Sequence, residues 1–131
     1  MRAMKFSENK LNAVIESYLR LIESIKNPTV KVGLNNLMEV MGERLFEAPA
    51  SHNLAYHNCC IGGLAEHSLR VYGNLKKLSS QFAPDLSEDS MILVALFHDL
   101  GKVGSMEEPY YITQTNDWAR DNRGDHWMHN P

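Results

Sequence analysis

The sequence has 131 residues, of which 44% are hydrophobic and 22% are charged, a balance typical of a globular protein with a packed core. Its net charge of −3 argues against broad electrostatic attraction to nucleic acid or anionic lipid. No stretch approaches the roughly 18 consecutive apolar residues of a membrane helix, and the first residues lack the apolar segment of a secretory signal. We therefore expect a cytoplasmic protein with one domain, residues 1–131, and no membrane partner.

Two amphipathic helices are predicted before residue 50. The first begins after the N-cap Ser7 and ends before Pro28, because the residue that precedes a proline resists the α conformation. Thr29 is predicted to cap the second helix, which Pro49 closes. Apolar residues recur at helical spacing in both helices. They are Leu11, Val14, Ile15, Tyr18, Leu19 and Ile22 in the first, and Leu34, Leu37, Met38, Met41 and Leu45 in the second.

Two further helices are predicted after a loop over residues 50–62, which holds the only cysteines, Cys59 and Cys60. Neighbouring cysteines seldom bridge each other, so we expect two reduced thiols in a packed interior. The third helix follows the pair Gly62-Gly63 and has the apolar stripe Leu64, Val71, Leu75 and Leu78. Ser87 caps the fourth, whose residues 91–97 are apolar all round and are therefore predicted to be buried. Gly101 is expected to end it in a left-handed conformation.

The remaining residues, 107–131, are predicted to be irregular, with a short helical stretch over 117–122. Residues 1–105 show no alternating strand pattern, so the predicted fold class is all-α, a helical bundle. The aromatic residues of the tail are expected to cover the core and not to stack on bases. They are Tyr110, Tyr111, Trp118 and Trp127.

His67 and the adjacent pair His98-Asp99 are the candidates for chemistry. His67 lies on the apolar stripe of the third helix, where a hydrogen-bonded core histidine is the ordinary alternative to a metal ligand. His98 and Asp99 end the most apolar helix, and an ionised carboxylate there requires a cation or hydrogen-bond donors. The alternative for Asp99 is a following loop, an arginine or Lys102 as its partner. Lys102 itself is either a contact for a substrate phosphate or a solvated lysine at a helix C-terminus.

Two histidines and one carboxylate suit a divalent metal ion: manganese, iron, nickel, zinc or, less well, magnesium. Three protein ligands leave coordination positions open, which is typical of a site that activates water.

Two segments resemble the HD-domain metal-dependent phosphohydrolases: Gly-Gly-Leu-Ala-Glu-His-Ser-Leu-Arg-Val at 62–71 and Ala-Leu-Phe-His-Asp-Leu-Gly-Lys at 95–102. The stretch 48–57 is similar to the lead-in of bacterial and phage members, including the exoribonuclease branch. The resemblance covers roughly residues 45–131. It implies an all-α HD-domain-like bundle in which His67, His98 and Asp99 bind metal, Asp99 and Lys102 take part in catalysis, and a final aspartate from a later helix completes the site.

The final aspartate has no clear counterpart, because Asp117, Asp121 and Asp125 all lie outside an apolar helical context. We therefore expect an HD domain shortened at its C-terminus, and exposed core surface would favour a homo-oligomer. His57 is a weaker candidate ligand and His52 a weaker one still. His126 and His129 are the tail candidates for a second ion.

The leading functional hypothesis is a metal-dependent phosphohydrolase acting on a nucleotide or another phosphorylated small molecule, through metal-activated water. The alternative is a degenerate, catalytically incomplete HD module that binds a metal or another protein. A third hypothesis is an oxidative enzyme, because some HD-domain relatives use two iron ions with oxygen.

Overall fold

A computed structural model describes residues 5–131. Four α-helices form the bundle: α1 (Glu8–Glu23), α2 (Pro28–Glu47), α3 (Gly63–Phe82) and α4 (Glu88–Phe97). A 3-10 helix, Leu100–Val103, follows α4 after His98 and Asp99. The all-α prediction is confirmed, and each of the four predicted helices is present.

The helix starts follow the side chains that cap them. Ser7 and Ser87 accept hydrogen bonds from the backbone N–H groups of Lys10 and Ser90, as their N-cap predictions require. The predicted cap of α2 at Thr29 is wrong. Asn27 caps this helix, since its side chain accepts from the backbone of Thr29 and Val30, and Pro28 takes the first helical position, where a missing N–H costs nothing.

The core lies where α3 packs against α4 and where α1 and α2 close over α3. Its largest fully buried side chains include Tyr18 and Ile22 from α1, Leu45 from α2 and Ile92 from α4. Apolar stripes of about 100° on the individual helices therefore meet as one cluster, as helical periodicity predicts. This packing sets the direction in which α3 and the end of α4 face each other.

Three apolar residues that were predicted to face the core are exposed. Leu19 is 43% exposed, Leu78 is 57% exposed and Val94 is 59% exposed. Leu78 lies near the end of α3, and Val94 lies outside the buried face of α4, which Met91, Ile92, Ala95 and Leu96 form. The expectation of burial all round α4 is therefore wrong, because the bundle covers only one side of this short helix.

The chain reverses after α4 at a different glycine from the one predicted. Gly101 does not adopt a left-handed conformation and instead lies within the 3-10 helix. Gly104 takes that role, with φ of +98°, and a Cβ there would lie 2.3 Å from the Glu108 carbonyl oxygen. The 3-10 helix brings the Lys102 side chain close to Asp99.

The tail is more regular than predicted. Strands β1 (Tyr111–Thr113) and β2 (Trp127–His129) form an antiparallel pair in which Tyr111 faces His129. A π-helical turn, Ala119–Arg123, lies between the strands and overlaps the predicted helical stretch. The expectation that the tail aromatics cover the core is wrong for Tyr110, which is 39% exposed, and for Trp118, which is 62% exposed.

Within residues 5–131, no helix combines the length and the apolar character needed to cross a membrane. The prediction that the first residues form no secretory signal also depends on residues 1–4, which lie outside the described residues.

Candidate metal centre

His67, His98 and Asp99 meet on one side of the bundle. Each offers one ligand atom, and these atoms all lie within 4.8 Å of one another. Asp99 Oδ2 lies 3.4 Å from His67 Nε2 and 3.2 Å from His98 Nε2. The structure thus brings together the three residues that the sequence singled out, although the binding of a metal by them stays a prediction.

Two packed helices create this convergence. His67 is in the second turn of α3, while His98 and Asp99 follow the last residue of α4. The end of α4 is held from a distance, because the hydroxyl of fully buried Tyr18 donates a hydrogen bond of 2.7 Å to the Leu96 carbonyl oxygen. Helix α1, which contributes no ligand, therefore anchors the turn that carries two of them.

A backbone contact selects the tautomer of His98. Its Nδ1 lies 2.9 Å from the Ala95 carbonyl oxygen, which can only accept a hydrogen bond. Nδ1 must therefore carry the proton, and Nε2 presents a lone pair toward Asp99. Metal-binding histidines are commonly oriented by such a hydrogen bond from the second ring nitrogen.

The surroundings of His67 favour its neutral form. Burial lowers the pKa of this imidazole, and the nearby charges of His57, His98 and Lys102 lower it further, whereas Asp99 opposes them. The centroid of the His57 ring lies 4.5 Å from the centroid of the His67 ring. Because a histidine binds a metal ion through a neutral ring, this shift keeps His67 competent as a ligand at lower pH.

The three side chains are less buried than predicted. Their exposed fractions are 22% for His67, 31% for His98 and 27% for Asp99. The buried part of α4 ends at Leu96, and the following residues emerge at the surface of the bundle. An exposed edge is required of any centre whose open coordination positions receive a substrate.

Lys102 lies beside the cluster and is held in place. Its Nζ donates a hydrogen bond of 2.7 Å to the Ala50 carbonyl oxygen and lies 3.4 Å from Asp99 Oδ2. It is therefore not the freely solvated lysine of the alternative interpretation. The sequence also offered Lys102 as the partner of Asp99. Asp99 contacts Lys102 and, in addition, His67 and His98.

Sequence reasoning missed a buried carboxylate next to His67. Glu66 is 8% exposed, and Arg70 and Asn58 both donate hydrogen bonds to it. Burial alone would raise the pKa of Glu66, but these hydrogen bonds outweigh it and hold the pKa below its usual value. Asn58, in turn, donates to the Gly63 carbonyl oxygen, so this network fixes the loop carrying His57 against the start of α3.

The other candidate residues are not part of the three-residue cluster. His57 is close to His67 but is not among the ligand atoms that converge in residues 5–131. His52 lies 3.7 Å from Asp125, measured from Nε2 to Oδ1. Asp117 and Asp121 pair with Arg120. The ring of His129 packs on the rings of Tyr110 and Tyr111.

The donor set fits a divalent metal ion. Two imidazole nitrogens and a carboxylate oxygen are borderline to hard ligands, which transition-metal ions of this charge prefer. The fixed tautomer of His98 and the lowered pKa of His67 both leave lone pairs available at the cluster. Asp99 supplies the negative charge that offsets part of the cation's own.

The HD-domain family model matches residues 64–128, a segment that contains all three cluster residues. The segment 64–128 therefore belongs to the HD-domain family, and the resemblance drawn from residues 62–71 and 95–102 is confirmed. The predicted HD-like helical bundle is confirmed with it, and HD domains bind divalent metals.

Proteins similar to this chain include the 3'-5' exoribonuclease YhaM of Bacillus licheniformis and that of Bacillus velezensis, each 28% identical over 104 residues. The protein of the same name from Bacillus pumilus is 26% identical over 102 residues. The alignments cover 79%, 79% and 78% of this chain, and 32% of each relative, so the chain spans about a third of the length of these relatives. No solved structure matches the chain.

Proposed function

We propose that this chain is a metal-dependent phosphohydrolase whose metal ion is held by His67, His98 and Asp99. The observation that carries the proposal is the convergence of three ligand atoms within 4.8 Å at an exposed edge of the bundle. When bound there, a divalent ion would polarise a phosphoryl oxygen and lower the pKa of a water molecule. Manganese, iron, nickel and zinc suit the donor set best, and magnesium suits it less well.

Each residue has a distinct task in this proposal. His98 keeps its Nε2 lone pair directed at the cluster through its hydrogen bond to Ala95. Asp99 is the third ligand, and its Oδ2 atom lies 3.4 Å from His67 Nε2 and 3.2 Å from His98 Nε2. Lys102, anchored on Ala50, presents a fixed positive charge for a phosphate oxygen and for the negative charge that develops during phosphoryl transfer.

The substrate we propose is a nucleotide or another phosphoester. The positive charge of Lys102 beside the cluster favours an anionic ligand and does not by itself select among phosphoesters. The similarity to proteins named 3'-5' exoribonucleases favours a phosphodiester between nucleotides over a sugar phosphate. The net charge of −3 indicates that any such contact is local, and not spread over a basic surface.

The metal is tested by thermal unfolding of the purified chain with and without added manganese. At a manganese concentration of about 100 Kd, linkage predicts stabilisation by about 2.7 kcal/mol, or roughly 10 °C in Tm. His98→Ala removes one of three ligands and is expected to abolish most of that shift. His52→Ala is the matched control, because this histidine lies against Asp125 and not at the cluster.

Hydrolysis is tested with bis-p-nitrophenyl phosphate and with a short single-stranded RNA, each with manganese or with EDTA. We expect turnover that EDTA abolishes and that His98→Ala lowers by at least about 100-fold, the scale of one lost transition-state interaction. A chain that binds manganese but releases no product from either substrate contradicts the proposed activity. A chain whose Tm does not respond to manganese, nickel or zinc contradicts the metal site itself.

A further inference from the structure

A cavity of about 460 Å³ opens beside Lys102, between the end of α2 and the β1–β2 pair. Its volume lies within the range of about 300–1,000 Å³ that is usual for small-molecule sites. Its walls are mainly apolar and aromatic, with Tyr110, Tyr111 and Trp127 on the side of the strands. The cationic residues that line it are Arg44 and Lys102, and the acidic one is Glu47.

Arg44 has an unmet hydrogen-bonding requirement at this cavity. Its Nη2 is buried and has no hydrogen-bond acceptor among residues 5–131. A basic residue in the last turn of a helix is favoured by the helix dipole, but that preference is satisfied equally well by a solvated side chain. Buried polar groups are nearly always paired, and Arg44 is one of the residues that line the cavity, so its guanidinium is the group there that most needs an acceptor from a ligand.

The cavity and the candidate metal centre share one residue, Lys102. Lys102 lines the cavity, and its Nζ is also 3.4 Å from Asp99 Oδ2. Tyr111 is on the opposite wall, where burial raises the pKa of its phenol and the charges of Tyr110 and Asp99 raise it further. A molecule with its phosphate at Lys102 would therefore extend from the cluster into a pocket walled by aromatic rings.

We propose that this cavity holds the base of the nucleotide whose phosphate lies at the metal centre, and that Arg44 donates a hydrogen bond to an acceptor atom of that base. Aromatic walls favour a planar heterocycle, since bases stack on such side chains. Glu47 on the same wall disfavours a second phosphate as the partner of Arg44. This inference rests on the proposed function and adds the nucleobase as the group that the site recognises.

The binding test uses Trp127, which lines the cavity, as the reporter. Trp118, which is 62% exposed, is replaced by phenylalanine so that Trp127 is the one remaining tryptophan. In EDTA, the four nucleoside 5′-monophosphates are titrated, with ribose 5-phosphate as the ligand that lacks a base. We expect saturable quenching by at least one nucleotide and at least about tenfold weaker binding of ribose 5-phosphate, because base stacking is absent.

Arg44→Gln removes the charged donor, and Arg120→Gln is the matched control, since Arg120 pairs with Asp117 and does not line the cavity. Arg44→Gln is expected to weaken binding of the preferred nucleotide by about 10- to 100-fold, the effect of losing a charge-assisted hydrogen bond. It should leave the affinity for ribose 5-phosphate unchanged. Arg44→Lys, which keeps the charge, is expected to fall between wild type and Arg44→Gln.

Equal affinity of the wild-type chain for ribose 5-phosphate and for all four nucleotides would overturn the base pocket, and this result needs no variant. An equal loss for both kinds of ligand in Arg44→Gln would identify Arg44 as an anion contact and would overturn its assignment to the base. Nucleotide binding that depends on Arg44, without hydrolysis of any phosphoester, would contradict the proposed function and leave the pocket standing. If the chain hydrolyses RNA and Arg44→Gln leaves that activity unchanged, the base pocket is contradicted and the proposed function stands.

Discussion

Replacing Tyr18 by phenylalanine tests the link between α1 and the turn that carries His98 and Asp99. Tyr18 is fully buried, and its hydroxyl donates a hydrogen bond of 2.7 Å to the Leu96 carbonyl oxygen. The ring is held separately by edge-to-face contacts with Phe46 and Phe97, at centroid distances of 5.4 and 6.0 Å. Tyr18→Phe keeps those contacts, so the variant removes the hydrogen bond with little change in packing.

The expected loss follows from the burial of the two partners. A hydrogen bond of this kind contributes about 1 kcal/mol net, and leaving a buried acceptor without its donor costs about 1–3 kcal/mol. We therefore expect the free energy of unfolding to fall by about 1–3 kcal/mol, with an unchanged dependence on denaturant concentration. Because burial raises the pKa of Tyr18, its phenol stays protonated in the fold, and the loss should be constant from mildly acidic to neutral pH.

The assay is urea unfolding followed by far-UV circular dichroism at neutral pH. Tyr72→Phe is the matched control, because the Tyr72 hydroxyl bonds to Glu88, a carboxylate that water can hydrate and that keeps its contact with Lys76. The control is expected to lose less than about 1 kcal/mol. If Tyr18→Phe unfolds at the wild-type urea concentration, or no earlier than Tyr72→Phe, then α1 does not anchor the end of α4 as argued.

Two further predictions concern the loop before α3. Gly63→Ala should destabilise the chain by about 1–3 kcal/mol, because its Cβ would lie 2.1 Å from the Asn58 carbonyl oxygen. Gly33→Ala is the control and should be neutral or stabilising, because a Cβ there would have nothing within 4 Å. Equal urea midpoints for the two variants would refute this prediction. Burial raises the pKa of Cys59 and of Cys60 from 9.0 to about 11, so both thiols should resist alkylation at neutral pH until the chain unfolds. Because unfolded thiols ionise first, stability should fall as pH rises from 9 to 11, and rapid alkylation of the folded chain would contradict both statements.

Local patterns predicted the helices well, and the misses have physical causes. The Ser7 and Ser87 caps depend on neighbours within three residues, so the sequence alone was enough to place them. The exposure of Val94 depends on which side of α4 the bundle covers, and a helix that is apolar all round carries no such signal. Strands of three residues are too short for an alternating pattern, and for this reason β1 and β2 were not predicted.

Arg44 is the clearest case of a residue that sequence reasoning could not find. A basic residue in the last turn of an amphipathic helix is common, and such a position by itself indicates only a favourable interaction with the helix dipole. What distinguishes it is a buried nitrogen without an acceptor in residues 5–131, in a side chain that lines a cavity together with residues more than 60 positions further along the chain, such as Tyr110 and Tyr111. Only packing brings these residues together, so no local pattern in the sequence predicts that Arg44 lines a cavity.

The sequence by itself determined the all-α class, four helices and the ligand types of the candidate site, because helical periodicity and the apolar lead-in to His98-Asp99 are local properties of the chain. The tertiary structure alone decided that the ring centroids of His67 and His98 lie 5.3 Å apart, that Tyr18 holds the last turn of α4, and that Lys102 is shared by the cluster and a cavity. These distances depend on how α3 packs against α4 and α1. Contacts between residues far apart in the chain arise from the shapes of whole helix surfaces, which no short segment encodes.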